Sequence, residues 1–467
     1  MSTLMEQDVS GLRERLSGQL ITAADPEYDT AREVWNGSVD RRPLLIARCA
    51  GPGDVALALG FARETGLEIA VRGGGHNFGG AAVCDDGLVV DLTAMRGISV
   101  DEQHRRVRCG GGTTMADLDA ATCAQGLAVP AGTISHTGIG GLALGGGFGW
   151  LTHEHGLSCD NLISAEVVTV GGDVLRASRD EHADLFWALR GGGGNFGVVT
   201  EFEFRAHPMP PLVRMGLFFW GLDDGVAALR VAREVTEDLP AGMGAMIAGL
   251  NAPPAEFVPP QHRLVPGYAL IVAGFGPERE HEALLRAVRA ELPPLFEFVT
   301  PMPFPDLQRM LDDAAPWGIL AYEKAVYLER LSDEVIEVIT GRMPEKRSAM
   351  SFLPIFPVGG AFRAVDEDAT AFGGSRRTGV IFNAAALAPD PDLVAEDRTW
   401  SRTMCDALAP HAINQGTYVN FMNDYDDSDR VRNAFGPDKY RRLAGIKAEY
   451  DPENLLHRNP NIKPAGF

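Results

Sequence analysis

The run Val71-Arg72-Gly73-Gly74-Gly75-His76-Asn77-Phe78-Gly79-Gly80 holds the residue types best placed for chemistry. Three adjacent glycines let backbone N–H groups converge on an anion with no Cβ in the way, the arrangement that grips a phosphate. Glycine runs also make plain turns, and this stretch alone leaves both readings open. Two more glycine-rich stretches follow, Gly138 to Gly149 and Gly191 to Gly197.

What surrounds the first loop narrows its chemistry. A strand-like run, Leu67 to Val71, leads into it, and a short strand, Leu88 to Leu92, comes after it. A dinucleotide fold of the Rossmann kind needs a helix opening at the glycines to hold the pyrophosphate. No helical pattern starts there, and the lysine of a P-loop is missing. A cradle made by loops alone is the preferred reading.

The elements that must position these loops can be read in order. Residues 11–35 carry a mixed helical pattern, and Pro43 to Cys49 is strand-like. Asp54 is placed to cap a helix, Val55 to Thr65, that Gly66 ends. Residues 88–92, 97–100 and 106–109 read as short strands, and Thr113 or Thr114 starts a helix that stops at Gly126. Ala131 to Trp150 reads as a ligand loop. Leu162 to Val170 and Val174 to Ala177 form a hairpin about Gly171-Gly172-Asp173. Ser178 or Asp180 caps a helix to Arg190, and Val198 to Phe204 is a strand.

Beyond Pro208-Met209-Pro210-Pro211 the glycine clusters thin out. Strands (215–222, 244–250, 268–274, 349–356, 378–385) alternate with helices (224–238, 279–291, 304–314, 331–342, 392–408), the pattern of an α+β domain with a broad antiparallel sheet. A helix at 438–448 precedes Tyr450-Asp451-Pro452-Glu453-Asn454-Leu455.

At 467 residues the chain is long enough for two or three domains. Its net charge of −21 opposes nucleic acid and anionic membranes. Fifty-four glycines stand well above the usual share of about 7%, and their clustering points to loops that serve a ligand. Six cysteines show neither CxxC spacing nor a metal pattern, which reads as reduced thiols of a cytoplasmic protein. No signal peptide and no apolar run of ~18 residues is found.

Taken together, the motifs resemble a family. They are Arg72 to His76, Ser135 to Gly149, Glu154-His155-Gly156-Leu157-Ser158-Cys159-Asp160-Asn161, Asp184 to Thr200, Tyr418-Val419-Asn420 and Tyr450 to Leu455. In this order the chain resembles the berberine-bridge-enzyme-like FAD-linked oxidases of the vanillyl-alcohol oxidase superfamily. The resemblance implies an α+β fold with a vanillyl-alcohol-oxidase-type FAD-binding domain formed by both chain ends, residues 1–207 and 412–467. An α+β substrate domain, residues 208–411, is inserted between them. It further implies FAD linked covalently through His76, whose neutral imidazole adds to the 8α-methyl carbon. The alternative for His76 is a loop histidine bonded to backbone. A second link in many relatives uses a cysteine at the position held here by Ile134, so a single link is expected. Cys159 lies in a different motif.

The cofactor-binding residues implied are Arg72, Gly73, Gly74, Gly75, His76, Asn77 and Gly80 of the first loop. From the second come His136, Thr137, Gly138, Gly140, Gly141, Gly147 and Trp150. Asn161, Gly197, Val198, Tyr418, Asn420, Asn459 and Asn461 complete the set, and no metal is called for. Pro460 and His457 depart from the family's commoner C-terminal pattern. Thr137 is a hydroxyl for flavin N5 or oxygen, or else a turn hydroxyl bonding its own backbone. Tyr418 and Thr137 are the candidate catalytic side chains; a free phenol, pKa near ~10, needs help to act as a base, and packing plus a flavin hydrogen bond is the alternative role of Tyr418. The acidic base that some relatives carry before Gly-Gly-Ala is missing before Gly359-Gly360-Ala361. Phe218, Phe219 and Trp220 are candidates for an aromatic pocket wall, with alternate residues bound to face the core.

The function expected is oxidation of a small organic molecule, an alcohol of secondary metabolism such as a polyketide, by hydride transfer to flavin with O2 as acceptor. A hydroxynicotine-type amine oxidase and a non-catalytic FAD-binding protein are the alternatives. A monomer or homodimer is expected.

Overall fold

The computed structural model describes residues 3–414, 416–423 and 428–466. Its first sheet has the order β1-β2-β4-β3, from β1 (Gln19–Ile21), β2 (Leu45–Arg48), β3 (Ile69–Arg72) and β4 (Leu88–Asp91). β2, β4 and β3 run parallel, and Leu45 and Ile69 both pair with Leu88. Their nearly unbroken apolar runs suit strands covered on both faces. The helix Pro52–Thr65 links β2 to β3 and ends at Gly66, whose φ of 70° closes the last turn onto Ala62.

Asp54 does not cap that helix. It lies inside the first turn, and its carboxylate accepts N–H groups of Ser17, Gly18 and Ala50 at 2.8–2.9 Å. The acid therefore holds the chain on either side of β1, and Gly51 occupies the cap position.

The second sheet, ordered β5-β6-β10-β8-β9, comprises β5 (Ile98–Asp101), β6 (Arg106–Gly110), β8 (Leu162–Val168), β9 (Val174–Ser178) and β10 (Val198–Arg205). Two-residue strands β7 (Leu127–Ala128) and β11 (His207–Pro208) pair separately. Thr114 caps the helix Met115–Cys123 in a reciprocal capping box with Asp117. Two expectations need correction. The stretch read as a continuous loop contains a helix, Ile139–Leu144, because Ile139, Ala143 and Leu144 carry enough apolar surface to bury one face. The next helix begins at Ala183, since the Ser178 hydroxyl is taken up by the Asp180 and Glu181 amides of a turn.

The third sheet has seven strands in the order β15-β12-β14-β13-β17-β18-β16, all antiparallel. They are β12 (Val213–Gly221), β13 (Met243–Asn251), β14 (Pro266–Gly274), β15 (Phe296–Met302), β16 (Leu320–Leu328), β17 (Leu353–Pro357) and β18 (Val380–Ala388). The edge strands β15 and β16 are additions to the sequence reading. Pro301 breaks the strand pattern of β15, and Glu323-Lys324 interrupts the apolar run of β16. The helices Gly225–Glu237, Glu278–Glu291, Asp333–Arg342 and Pro391–Leu408 pack on one face against Phe218, Trp220 and Phe382. The other face turns toward the glycine loops.

Near the C-terminus the helix Pro437–Tyr450 ends at a buried ion pair, Lys447 Nζ to Asp451 Oδ2 at 2.6 Å, both side chains 0% exposed. Lys447 also donates to the Asn195 and Leu456 carbonyls, and Asp451 accepts the Leu455 and Leu456 amides. The pair thus fastens the C-terminal segment to the third glycine loop. Replacing Asp451 by Ala leaves a buried, unpaired ammonium, and the expected loss is about 3–5 kcal/mol of unfolding free energy by urea titration. A loss under about 1 kcal/mol would show that the clamp contributes little.

Candidate functional site

Between the glycine loops and the open face of the third sheet lies a cavity of about 330 Å³. Its loop side exists because two backbones touch. A Cβ built on Gly74 would stand 2.3 Å from the Gly138 nitrogen, and one on Gly138 would stand 2.4 Å from that of Gly74. Only glycine permits such an approach.

His76 lines this cavity, with Trp35 stacked on its ring at a centroid distance of 4.5 Å and 16° between planes. Its Nε2 is 2.8 Å from His136 Nδ1. Burial, aided by the nearby His136, pushes the His76 pKa down to about 3, so the ring is neutral at pH 7. The Ser135 hydroxyl donates to Asp312 at 2.6 Å, and the Trp35 indole donates to the Ala315 carbonyl. The second loop and Trp35 are thereby both tied to the segment 312–315.

Thr137, Gly138, Gly140 and Gly141 line the cavity beside His76, as do Gly73, Gly74, Gly75 and Asn77. Ile134 lines it too, whereas none of the six cysteines is among its lining residues. At one end stand Gly197, Val198, Leu456, Arg458 and Asn459. Here Arg458 pairs with Glu68, and its Nε has no partner among the described residues. The side-chain oxygens of Asn459 and Asn461 are also buried without partners. Orphaned donors and acceptors beside glycine backbone are what a polar, phosphate-bearing cofactor would complete, so the residues fit FAD.

Tyr418 lines the opposite side. Its hydroxyl accepts from the Gly147 amide at 2.8 Å and from Asn420 Nδ2 at 2.9 Å. Burial holds the phenol well above its ordinary range, so it stays protonated. Asn420 also lines the cavity and donates to the Leu142 carbonyl.

Several expected residues stand outside the lining. Arg72 turns to the Ala31 carbonyl, and Gly80 abuts Val39. His136 meets the cavity through His76, and Gly147 through Tyr418. Trp150 is packed in the core. Asn161 donates to the His155 and Leu157 carbonyls and sits 2.7 Å from the His207 ring. Asn461, half-buried, is not among the lining residues either. Of the supposed aromatic wall, Phe218 and Trp220 face the helices, and Phe219 stacks on Phe296.

The sheet side of the cavity went unread. Met246, Phe352, Pro354, Phe356, Ala385 and Leu387 form it, with two polar groups, Glu323 and Asn383. Asn383 had left a signal, a lone amide in the apolar run Val380 to Ala388. Glu323 left none, because β16 itself was missed.

Comparison with known proteins agrees with this geometry. Residues 43–178 match an FAD binding domain family, and residues 417–463 match the berberine and berberine-like family. The chain is 32% identical over 480 residues to (R)-6-hydroxynicotine oxidase of Paenarthrobacter nicotinovorans, covering 97% of this chain and 98% of the relative. The crystal structure of 6-hydroxy-D-nicotine oxidase from Arthrobacter nicotinovorans superposes with a TM-score of 0.83 at 28% identity, covering 96% and 98%. Glucooligosaccharide oxidase from Acremonium strictum, whose structure is described as holding a 6-S-cysteinyl, 8α-N1-histidyl FAD, superposes with 0.85 at 23% identity, covering 98% and 100%. Relatives of this kind are oxidases, which sets aside a mere FAD holder. With its loop-built cavity, its seven-stranded sheet and a relative matched along nearly its whole length, the chain belongs to the berberine-bridge-enzyme-like FAD-linked oxidases of the vanillyl-alcohol oxidase superfamily.

Proposed function

We propose that this protein is a cytoplasmic oxidase that carries FAD covalently on His76 alone and oxidises a small, mostly apolar alcohol of secondary metabolism, with O2 as acceptor. In this reading residues 1–207 and 412–467 hold the cofactor and residues 208–411 hold the substrate. The observation that carries it is His76 itself, neutral, stacked under Trp35, and engaged at Nε2 by His136. A neutral imidazole keeps one unprotonated nitrogen, the kind of atom a covalent link to the flavin requires. Ile134 beside it cannot form a thioether.

Bound FAD supplies a two-electron acceptor for a C–H bond. The chain's own part is to bind, orient and exclude water. Met246, Phe352 and Phe356 offer the substrate a dry wall, and Tyr418 keeps one O–H to donate. All six cysteines are free thiols, which supports the cytoplasmic reading. A second reading, amine oxidation, draws on the similarity to (R)-6-hydroxynicotine oxidase. Peroxide release over a panel of alcohols and amines separates the two.

Peptide mapping is expected to find flavin on the peptide containing His76 and on no cysteine, and His76→Ala to lose the acid-stable yellow colour. In Ile134→Cys a partial flavin–sulfur link is expected on the Ile134 peptide. Flavin on a native cysteine would end the single-link claim.

Thr137, on the second loop, lines the cavity together with His76. If its hydroxyl serves the reaction with oxygen, Thr137→Val removes a hydrogen bond worth about 1–3 kcal/mol, or roughly 5- to 150-fold in rate. Stopped-flow reoxidation of the dithionite-reduced protein, with FAD content matched, is expected to slow by that factor. Equal rates would return Thr137 to the role of a turn residue.

A further inference from the structure

The stretch just before Gly359-Gly360-Ala361 is apolar: Phe352, which precedes β17, and Pro354 and Phe356 within it line the cavity. Polar groups come instead from the neighbouring strands. In the β16–β18 ladder Ala325 pairs with Asn383 and Glu323 pairs with Ala385. Glu323 and Asn383 are therefore diagonal neighbours on one face, and both line the cavity. They are 4% and 0% exposed.

Neither end of the Asn383 amide finds a hydrogen-bond partner among the described residues. Burial pushes the Glu323 carboxyl up to about 8, and the nearby Asn383 offsets part of that rise without forming a well-aligned bond. No cation among the described residues is close enough to reverse it. Lys324 points to the far face and pairs with Asp406 at 2.6 Å, while Arg398 and Arg402 lie over Tyr322 there. The other titratable lining groups are His76, Tyr418 and Arg458, the last paired with Glu68. A buried polar pair left incomplete by the protein is a pair that a ligand completes.

We propose that Glu323 accepts the hydroxyl proton of the substrate while Asn383 holds its oxygen, making this diagonal pair the polar anchor for an otherwise apolar alcohol. The inference rests on the alcohol-oxidase reading. The C–H electron pair leaves as hydride to the flavin that the oxidoreductase activity supplies. The O–H pair closes the carbonyl, and the proton passes to the Glu323 carboxylate. Substrate is oxidised and flavin reduced by two electrons. Two polar side chains amid Met246, Leu311, Phe356 and Leu387 suit one hydroxyl on a hydrophobic ring. A sugar would leave most of its hydroxyls unpaired against these walls.

The test compares wild type with Glu323→Gln, Glu323→Asp and Asn383→Leu at matched FAD content. With an alcohol that the wild type oxidises, kcat/KM is expected to rise with pH through about 8, where the acting carboxylate form appears. Glu323→Gln should lose that limb and at least about 100-fold in kcat, and Glu323→Asp should restore the limb. Independently of turnover, 4-methylphenol is titrated into the oxidised holoenzyme and followed by flavin absorption. Its binding should tighten as pH rises through about 8 in the wild type, lose that response in Glu323→Gln, and weaken about 5- to 10-fold in Asn383→Leu. An affinity and pH response unchanged in Glu323→Gln overturn the inference. No turnover of any alcohol, with 4-methylphenol binding still governed by Glu323, sinks the alcohol reading and supports the anchor.

Discussion

The contact of Gly74 with Gly138 is the constraint from which the site follows. Because neither residue has a side chain, two loops from distant parts of the sequence meet main chain to main chain. A Cβ built on Gly73 or Gly140 would stand 3.1 or 3.0 Å from the Gly111 carbonyl oxygen, so main chain packs closely there too. The second loop is registered from behind as well. The Thr137 carbonyl accepts the Met115 amide, and the Thr113 carbonyl accepts that of Ile139, each at 2.9 Å. With both loops fixed, His76 has little choice but to meet His136. A single alanine at either glycine would push the histidines apart, although it would touch neither of them.

A second pair of neighbours holds the two sides of the cavity together. Trp35 stacks on His76, and the next residue, Asn36, clamps the main chain of Ala321 with both ends of its amide at 3.0 Å. Ala321 lies in β16, two residues before Glu323. One dipeptide, almost wholly buried, therefore sets the distance between the histidine on the loop side and the carboxyl on the sheet side. The bonds of Ser135 to Asp312 and of Trp35 to Ala315 add to the same seam. Rigidity here comes from hydrogen bonds to backbone, which fix position more sharply than apolar packing does.

The loop side of this arrangement was legible in the sequence, because glycine at fixed places and a histidine beside it admit few physical readings. The parallel strands were legible for a similar reason, since a run such as Leu88-Val89-Val90 can only be covered on both faces. Periodicity failed where burial is one-sided and local polarity misleads. Asp54 carries the residue type of a helix cap, yet tertiary amides from Ser17, Gly18 and Ala50 outcompete its own helix. In β16 the pair Glu323-Lys324 looks like a solvent-facing break. In fact one side chain enters the cavity and the next leaves the sheet on its far face to meet Asp406. Alternation of this kind cannot be told from a loop until the partner strands are known. The sheet side of the site was lost with that strand.

Charge then separates the site from the rest of the molecule. The chain as a whole carries −21, but the groups that face the reacting end of the cavity are neutral at pH 7. His76 is unprotonated, Tyr418 keeps its proton, and Glu323, near 8, mostly keeps its own. Arg458, at the opposite end, is paired with Glu68. A chamber lined in this way favours burial of an apolar ring over that of a charged group. The one group poised to change is Glu323, and it changes upward in pH, toward the form that takes a proton. No cation among the described residues shifts that carboxyl, so its attraction for a hydroxyl is little offset. The burial that makes ionisation difficult is also what makes the ionised group an effective acceptor.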